Sequence, residues 1–451
     1  MNKSLFDLAL QSQRQGKWTY SLWLYQRLLE LSPDNASVYS NMGALFSSHH
    51  QFETAVALLK KAIDIDPKHP GALSNLGNAY QRQGIFKEAE KYLKKSIKLA
   101  PNHFSAHLNL SIALRRQDKI KEALKQLEKA LKLSPDNADA HFNKAVCHLS
   151  LGELEKAWPH YEYRWGMREA QGARRQFPQP LWDGQKLEGS TLFIYCEQGF
   201  GDAIQFARYI PKAAKHVKQI IVECRPELAR VFQRIEGVTN VVIRGQKLPN
   251  FDIHIPLLSL PHVFKTTLKS IPKNVPYIAA PEPKQPIQLL ENHKKKWRVG
   301  LVWECSLTNK MARMRAIELD LFKPLMDIPN TQFYSLQHGP NALDIYKPSF
   351  VEKIIDLSPL TTDFLSTAIL IENLDLVISI DTSVTHLAGA LGKTTWTLLP
   401  KVAEWRWMTK GTSSPWYPSM KLFRQKEEGN WEELITRVQK ELKSFAKTSK
   451  S

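Results

Sequence analysis

The sequence predicts an all-α repeat domain followed by two α/β domains with parallel sheets. Three observations support this fold class. The first third has a 34-residue period, and strand–helix–strand patterns begin near Thr191 and again near Leu374. Strands that alternate with helices at short spacing are typical of parallel sheets. With 451 residues, 43% of them hydrophobic, the chain is long enough for about three domains with packed cores.

The repeat is defined by its prolines and its small residues. Pro33, Pro67, Pro101 and Pro135 follow one another at intervals of 34 residues, and Ala55, Ala89, Ala123 and Ala157 share that period. The proline ends a helix, and the alanine lets two antiparallel helices approach closely. This pattern is that of tetratricopeptide (TPR) repeats, which we assign to residues 1–165 as ten helices in a superhelix.

A superhelix of this kind presents a concave face that typically binds a peptide or a protein. A protein or peptide partner is therefore predicted, with a rigid spacer or a dimerisation arm as the open alternative. Asp64-Ile-Asp66 lies within a repeat helix, so we interpret it as a solvated helix end and predict no metal site there.

The net charge of +18 is compatible with nucleic acid, with peripheral association at an anionic membrane, or with anionic substrates. No nucleic-acid motif accompanies the charge, and we predict no nucleic-acid partner. The N-terminus lacks an apolar signal sequence, and no window is apolar enough for a transmembrane segment. The four cysteines are scattered, which is typical of a reducing compartment. These features predict a cytoplasmic protein.

The chain after the repeats divides into four parts. Residues 166–189 are aperiodic and contain prolines, so we predict an ordered linker. An α/β domain at 190–292 is followed by a second one at 293–428. Residues 429–451 are predicted to be a closing helix and tail.

A glycine-containing turn follows the first predicted strand, which spans Thr191 to Cys196. Gly199 and Gly201 allow a tight turn and the close approach of a ligand. Asp202 stands where the next helix begins, and aspartate is a good helix cap. The residues alone leave open whether Asp202 is a plain cap or a chemical group.

The second informative stretch is a strand, a turn and a short helix. The strand spans Leu376 to Ile380, and Asp381, Thr382 and Ser383 are cap-forming residue types at its end. A helix that begins at the carboxyl edge of a parallel sheet directs free N–H groups and a positive dipole end towards that edge. Hydroxyls and His386 add donors, so a phosphate fits there. An ordinary, well-capped turn is the alternative.

Both stretches resemble a known family. Asp381-Thr-Ser-x-x-His386-Leu-Ala-Gly-Ala-Leu-Gly-Lys393 is similar to the nucleotide-sugar motif of heptosyltransferase-like (family 9-like) glycosyltransferases. Gly199-Phe-Gly-Asp202 resembles the turn that opens the acceptor domain of these enzymes, and a Pro-x-Pro-x-Trp-Asp-Gly linker occurs in their TPR-fused members. The resemblance covers roughly residues 181–425. It implies a GT-B pair of Rossmann-like domains, with the acceptor at 190–292 and the nucleotide sugar at 293–428.

The resemblance also implies roles for individual residues. It makes Asp202 the catalytic base and places Gly199, Gly201 and Gln205 on the acceptor side. It implies nucleotide-sugar binding by Lys310, Arg315, Gln337, Asp381, Thr382, Ser383, Thr385 and His386. For Gln337 the organisation of its own loop is an equal alternative. Packing is favoured over ligand stacking for the tryptophans of Trp405-Arg-Trp407 and Ser414-Pro-Trp-Tyr-Pro418.

The implied reaction is the metal-independent transfer of a hexosyl or heptosyl group, with inversion, from a nucleotide sugar to a protein or glycan acceptor. The nucleotide sugar is a substrate, and no cofactor is implied. Neither the sugar, the nucleotide nor the acceptor follows from the sequence. One departure supports an alternative, because Glu304-Cys305 stands where relatives have a glycine turn, and a carboxylate repels a diphosphate. The alternative is a catalytically inactive TPR/GT-B scaffold for protein–protein interactions.

Overall fold

The computed structural model describes residues 2–167, 174–282, 287–293, 295–305 and 312–447. The contacts divide the chain into two units, residues 1–151 with 159–171 and residues 152–158 with 172–451. The predicted order, α-helical repeats followed by a parallel α/β region, is confirmed. Lys310, a predicted nucleotide-sugar ligand, lies outside the described residues.

The described part of the repeat region contains ten helices. They are α1 Asn2–Arg14, α2 Trp18–Leu31, α3 Ala36–Ser48, α4 Phe52–Ile65, α5 Pro70–Gln83, α6 Phe86–Leu99, α7 Phe104–Arg115, α8 Ile120–Leu133, α9 Ala138–Ser150 and α10 Leu154–Tyr161. From α1 to α9, each helix packs on the next one along the chain, as the 34-residue period requires.

The small residues of the repeat sit where two helices cross. A Cβ at Gly43 would stand 2.5 Å from Cγ of Leu59, and a Cβ at Gly77 equally close to Cγ of Leu93. Leu59 and Leu93 are fully buried, as are Tyr25 and Leu127 at the equivalent positions of other repeats. The period of small residues therefore reflects close contact between the two helices of each repeat.

Two parallel sheets form the α/β region. The strands are β1 Leu187–Tyr195, β2 Val217–Cys224, β3 Asn240–Ile243, β4 Ile253–Pro256, β5 Trp297–Val302, β6 Thr331–Ser335, β7 Ile354–Asp356, β8 Leu376–Ile380, β9 Thr395–Leu399 and β10 Met420–Arg424. The first sheet has the order β3-β2-β1-β4 and the second the order β10-β9-β8-β5-β6-β7, with parallel pairing throughout. We call residues 174–282 the first half and residues 295–447 the second half.

Ten helices accompany the strands in the described residues. They are α11 Phe200–Phe206, α12 Ile210–Ala214, α13 Pro226–Phe232, α14 Leu260–Val263, α15 Gln288–Glu291, α16 Ala312–Arg315, α17 Lys323–Met326, α18 Phe364–Glu372, α19 Ser383–Ala390 and α20 Trp431–Phe445. The sequence predicts one helix from Asp202 to about Lys215, but the structure divides it into α11, a 3-10 turn and α12. Pro211 stands in the first turn of α12, and its ring removes the N–H that a continuous helix would use.

The closing helix α20 belongs to the second half. Leu434, Ile435, Val438 and Leu442 line its buried face and join one core with residues such as Ile378 of the central strand β8. The predicted boundary at 429 therefore separates elements that share a core.

The linker packs on the first sheet. The ring of Phe177 contacts those of Phe193 and His254 edge-on, and Leu181 forms a parallel bridge with His254. Trp182 is buried. None of the helices in the described ranges has the length and apolarity needed to cross a membrane.

Candidate functional site between the two α/β halves

Both predicted motifs stand at the point where the strand order of their sheet reverses. In the first sheet the chain runs from β1 through β2 to β3, then returns to place β4 on the other side of β1. In the second sheet β5, β6 and β7 run one way, and β8 lies on the other side of β5. The Gly199 turn follows β1, and the Asp381 turn follows β8. Open α/β sheets bind ligands outside the carboxyl ends of strands at such reversals.

The helices that follow these two strands pack against each other. A Cβ at Gly201 in α11 would stand 2.8 Å from Cδ2 of His386 in α19. A glycine is needed at this position because the two helices approach so closely. The predicted acceptor-side glycine and the predicted phosphate-side histidine are therefore neighbours.

Asp202 lies at the third position of α11, and Gly199 is the N-cap residue. The interpretation of Asp202 as the N-cap residue is therefore wrong, because the cap lies three positions earlier. Its Oδ2 accepts a hydrogen bond from the Gly199 amide at 3.1 Å, which closes the turn. Its Oδ1 accepts from Nη2 of Arg406, a residue of the second half. The Asp202 side chain keeps 23% of its surface exposed.

Arg406 joins the two halves through a buried polar cluster. Its Nε donates to Oε1 of Gln205 at 2.6 Å, and its Nη1 lies 2.8 Å from Oε1 of Glu404. Burial raises the pKa of the Glu404 carboxyl, and the adjacent Arg406 partly opposes that rise. Gln205, predicted on the acceptor side, is fully buried and acts here as a partner of Arg406.

A second buried arginine holds the same interface. Arg208 donates from Nε to the Gln205 carbonyl at 2.7 Å and from Nη1 to the Trp416 carbonyl at 2.5 Å. Its guanidinium also lies 4.5 Å from the ring centre of Tyr417. Because Arg208 belongs to the first half and Trp416 and Tyr417 belong to the second, these contacts bind the halves together.

The N-terminus of α19 has no side-chain cap. Thr382 occupies the N-cap position, but its hydroxyl lies 3.2 Å from that of Ser379. The fully buried Thr385 donates its hydroxyl to the Ile380 carbonyl at 3.1 Å, so its proton is committed within the protein. Ser383 is half-buried at the first helical position. Among the residues that the structure describes, no side chain caps the first N–H groups of α19, which are thus open to a ligand or to water.

Two charged residues flank this helix end. Arg315 lies 2.9 Å from Oδ2 of Asp381 and also donates to the Asp381 carbonyl at 3.3 Å. Asp381 is buried and therefore fixes Arg315 beside the turn. The arginine is close enough to the helix end to add positive charge there, although Asp381 offsets part of it.

His386 is buried and uncharged. Its Nδ1 lies 2.9 Å from the Tyr417 hydroxyl, and its ring stacks on Trp407 with centroids 5.3 Å apart. Burial, followed by the charges of Arg406, Arg208 and Arg315, holds its pKa well below the ordinary histidine value. His386 can therefore donate or accept a hydrogen bond but does not supply the positive charge that a phosphate prefers.

Gln337 organises the loops at the ends of β5 and β6. Its Oε1 accepts from the Trp303 amide at 3.1 Å and the Glu304 amide at 2.9 Å, and its Nε2 donates to the His338 carbonyl at 2.7 Å. All of these bonds serve the loops, as in the loop-organising alternative. Burial, followed by Asp344, raises the pKa of the Glu304 carboxyl beside it.

The sequence alone predicts no functional role for Arg208, Glu404 or Arg406. Glu404 and Arg406 stand next to tryptophans that the sequence predicts to be packed, and Trp405, Trp407 and Trp416 are indeed buried. An arginine inside an aromatic, buried motif is the signal that was available, because a buried guanidinium needs acceptors. Across the residues that the structure describes, no cluster of three or more His, Cys, Asp or Glu side chains could hold a metal.

The repeat unit has a polar row of its own. Asn41, Asn75, Asn109 and Asn143 stand 34 residues apart on the first helices of four consecutive repeats, and all are half-buried. Asn75 donates to the Ser40 hydroxyl at 3.1 Å and Asn143 to the Asp139 carbonyl at 2.8 Å. Equivalent positions in stacked repeats form a row along one face, so the amides line one side of the unit.

Comparison with known proteins identifies the repeats. Tetratricopeptide-repeat family models match residues 24–57, 70–136 and 127–158, and a TPR-repeat model matches residues 50–84. Residues 24–158 are therefore TPR repeats, as the period predicts. TPR repeats commonly serve protein–protein interaction.

The chain is also similar to Protein FlbA of Caulobacter vibrioides, with 26% identity over 336 residues. The match covers 67% of this chain and 54% of FlbA, so the chain spans about half of that relative. The repeats make up little more than a third of the chain, so the match must include part of the α/β region.

Among solved structures, a TPR protein of Thermus thermophilus is 20% identical to this chain. The match covers 38% of this chain and 93% of that protein, with a TM-score of 0.34. PilF of Pseudomonas aeruginosa is 20% identical over 39% of this chain and 78% of its own, with a TM-score of 0.34. YrrB, described as a TPR protein with an unusual peptide-binding site, is 21% identical over 37% and 87%, with a TM-score of 0.30.

Proposed function

We propose, starting from the TPR repeats of residues 24–158, that the chain is a glycosyltransferase whose repeats bind a protein partner or the acceptor. The transferase part would take a sugar from a nucleotide-sugar donor without a metal ion. The observation that carries the proposal is the contact between α11 and α19 at the two sheet reversals. It brings the Asp202 turn of one half beside the uncapped helix of the other.

The donor site would lie at the N-terminus of α19. Its first N–H groups and the Ser383 hydroxyl are donors for a diphosphate, and Arg315 adds positive charge. These groups would stabilise the leaving nucleoside diphosphate, which is the largest charge that develops in glycosyl transfer. Burial raises the pKa of Glu304, which favours the neutral carboxyl, the form that would not repel a diphosphate.

The acceptor would approach from the first half. Asp202 keeps part of its carboxylate exposed and is oriented by the Gly199 amide. It would take the proton of an acceptor hydroxyl while that oxygen attacks the anomeric carbon. Donor and acceptor would then come from opposite halves, so closure of the halves brings the reacting atoms together.

The repeats would bind a protein. The Asn row offers amide groups that can donate to and accept from a peptide backbone whatever the peptide sequence. A partner bound in this way would be either the acceptor itself or a protein that recruits it.

A non-enzymatic scaffold is the second candidate, and specific contacts favour it. Thr385, His386 and Gln337 all make side-chain hydrogen bonds within the protein. In a scaffold they would only hold the turns in shape. A scaffold would still bind a protein through its repeats but would neither bind nor turn over a nucleotide sugar.

A thermal-shift screen against UDP-, GDP- and ADP-linked sugars separates the two candidates. A ligand that binds only the folded protein raises Tm, by an amount that grows with its concentration relative to Kd. The enzyme proposal expects at least one nucleotide sugar to raise Tm and to be slowly hydrolysed, measured as released nucleoside diphosphate. Flat curves with every nucleotide sugar and its free diphosphate would favour the scaffold.

A further inference from the structure

Arg406 connects the predicted base to the half that would bind the donor. It belongs to the second half, where the Glu404 carboxylate holds it in two ways. Oε1 of Glu404 lies 2.8 Å from Nη1 of Arg406, and Oε2 accepts from the Arg406 backbone amide at 3.0 Å. Its guanidinium also lies 4.3 Å from the ring centre of Trp405. From this fixed position Nη2 and Nε reach Asp202 and Gln205 of the first half.

The two oxygens of Asp202 are therefore oriented by different halves. Oδ2 is held by the Gly199 amide of its own turn at 3.1 Å, and Oδ1 is held by Arg406. The first contact persists in any arrangement of the halves, whereas the second exists only while the halves touch. Arg406 is only 10% exposed, so this ion pair is shielded from water.

We propose that Arg406 is a positioning residue that completes Asp202 as a base only when the donor-binding half is docked. The inference rests on the proposed function. Without Arg406 the carboxylate would be held by one hydrogen bond and by water, and its free oxygen would sample several directions. With Arg406 both oxygens are fixed, and a carboxylate still has lone pairs left to accept the proton of an acceptor hydroxyl. Orientation of the base is thus tied to closure of the halves.

The chemical step needs no proton from Arg406. The acceptor O–H gives its proton to Asp202 while the oxygen forms a bond to the anomeric carbon. The bond between the anomeric carbon and the diphosphate oxygen breaks, and its electron pair leaves with the nucleoside diphosphate. A guanidinium does not lose its proton in proteins, so Arg406 orients without taking part in transfer.

The test compares Arg406→Gln with Arg230→Gln. Arg230 forms another ion pair across the halves, 3.0 Å from Asp363, but it is largely exposed and does not touch Asp202. The substrate is the nucleotide sugar from the panel that raises Tm most, and the readouts are kcat and KM for its hydrolysis, with Kd from calorimetry. Arg406→Gln should lower kcat about 10- to 100-fold and leave Kd within about threefold. Arg230→Gln should change neither.

A double variant shows whether Arg406 acts through Asp202. If it does, Arg406→Gln should reduce the rate of an Asp202→Asn protein by less than threefold, because the base is already gone. Multiplicative losses would overturn the inference. If Arg406→Gln does not fold, Glu404→Gln tests the same link by loosening Arg406 in its own half. A wild-type rate in either folded variant overturns the inference alone, whereas a wild-type protein with no turnover overturns the proposed function as well.

Discussion

Gly201 and His386 are packed so closely that a Cβ on the first would stand 2.8 Å from Cδ2 of the second. The nearest atom is a carbon of the imidazole ring, and this ring is fixed by Tyr417 and Trp407. The contact therefore sets how near α11 can come to α19.

Gly201→Ala should destabilise the α/β unit, because the extra methyl group must push the helices apart. Overpacking of this kind costs about 1–3 kcal/mol in the free energy of unfolding. Urea titration followed by tryptophan fluorescence measures it. Gly189→Ala is the matched control, since a Cβ at Gly189 meets nothing within 4 Å. Equal stability of both variants would mean that the helices are not in tight contact.

Asp202→Asn distinguishes a base from a structural residue. An amide retains an oxygen for the Gly199 N–H but has no basicity, so turnover should fall by about 10²–10⁴. Nucleotide-sugar affinity, measured by calorimetry, should stay the same because the donor contacts lie in the other half. A variant that hydrolyses the donor at the wild-type rate would show that Asp202 only holds the turn and Arg406.

Ser383→Ala and Thr385→Val should affect different properties, the first ligand affinity and the second stability. The Ser383 hydroxyl stands at the open helix end, so its loss should weaken nucleoside-diphosphate binding by about 1 kcal/mol. Thr385 donates to the Ile380 carbonyl and is fully buried, so its loss should lower stability by about 1 kcal/mol and leave affinity unchanged. Calorimetry and thermal unfolding on both variants give the comparison. Weaker binding by Thr385→Val alone would move the site deeper into the turn.

The repeat unit should lose stability in mild acid because of His160. Burial, ahead of Lys144, His141 and His148, lowers the pKa of His160 from 6.5 to about 4. The folded protein therefore binds this proton less readily than the unfolded chain. The stability that His160 contributes is fully present above pH 6.5 and is lost as pH falls towards 4. Because the side chain is half-exposed, the loss should amount to only about 1–2 kcal/mol.

The preceding repeat supplies the control for that prediction. Gln126 occupies the position equivalent to His160, and its Oε1 lies 2.8 Å from Nδ1 of His107. His160 lies 2.7 Å from Nδ1 of His141 in the same way. His160→Gln should therefore keep the hydrogen bond and remove its share of the pH dependence. Urea titrations at pH 7.5 and pH 5 should show a smaller difference in the variant than in the wild type. An unchanged difference would assign the acid sensitivity to other groups.

The sequence is informative where one local pattern fixes one structure. The proline period predicts the repeats, and the strand predicted from Leu376 to Ile380 is found as β8 with the same bounds, followed by the predicted short helix. The short strand β4 is missed because four residues that end in a proline resemble a loop. The partners of Arg406 are missed because Asp202 and Gln205 lie about 200 residues away, and no local pattern encodes that contact.

The pairing of β5 with β8 bears on the order of folding. Repeat helices contact their sequence neighbours, so the N-terminal unit can fold as soon as it is synthesised. The second sheet cannot close until β8 is available, because Val299 in β5 pairs with Leu376, 77 residues further along the chain. Bringing β5 and β8 together costs the conformational entropy of the chain between them, and this cost comes before the pairing contributes any stability. During synthesis the repeat unit would therefore be complete while β5 still lacks β8. A protein bound to the repeats at that stage would meet a chain whose second half is still forming.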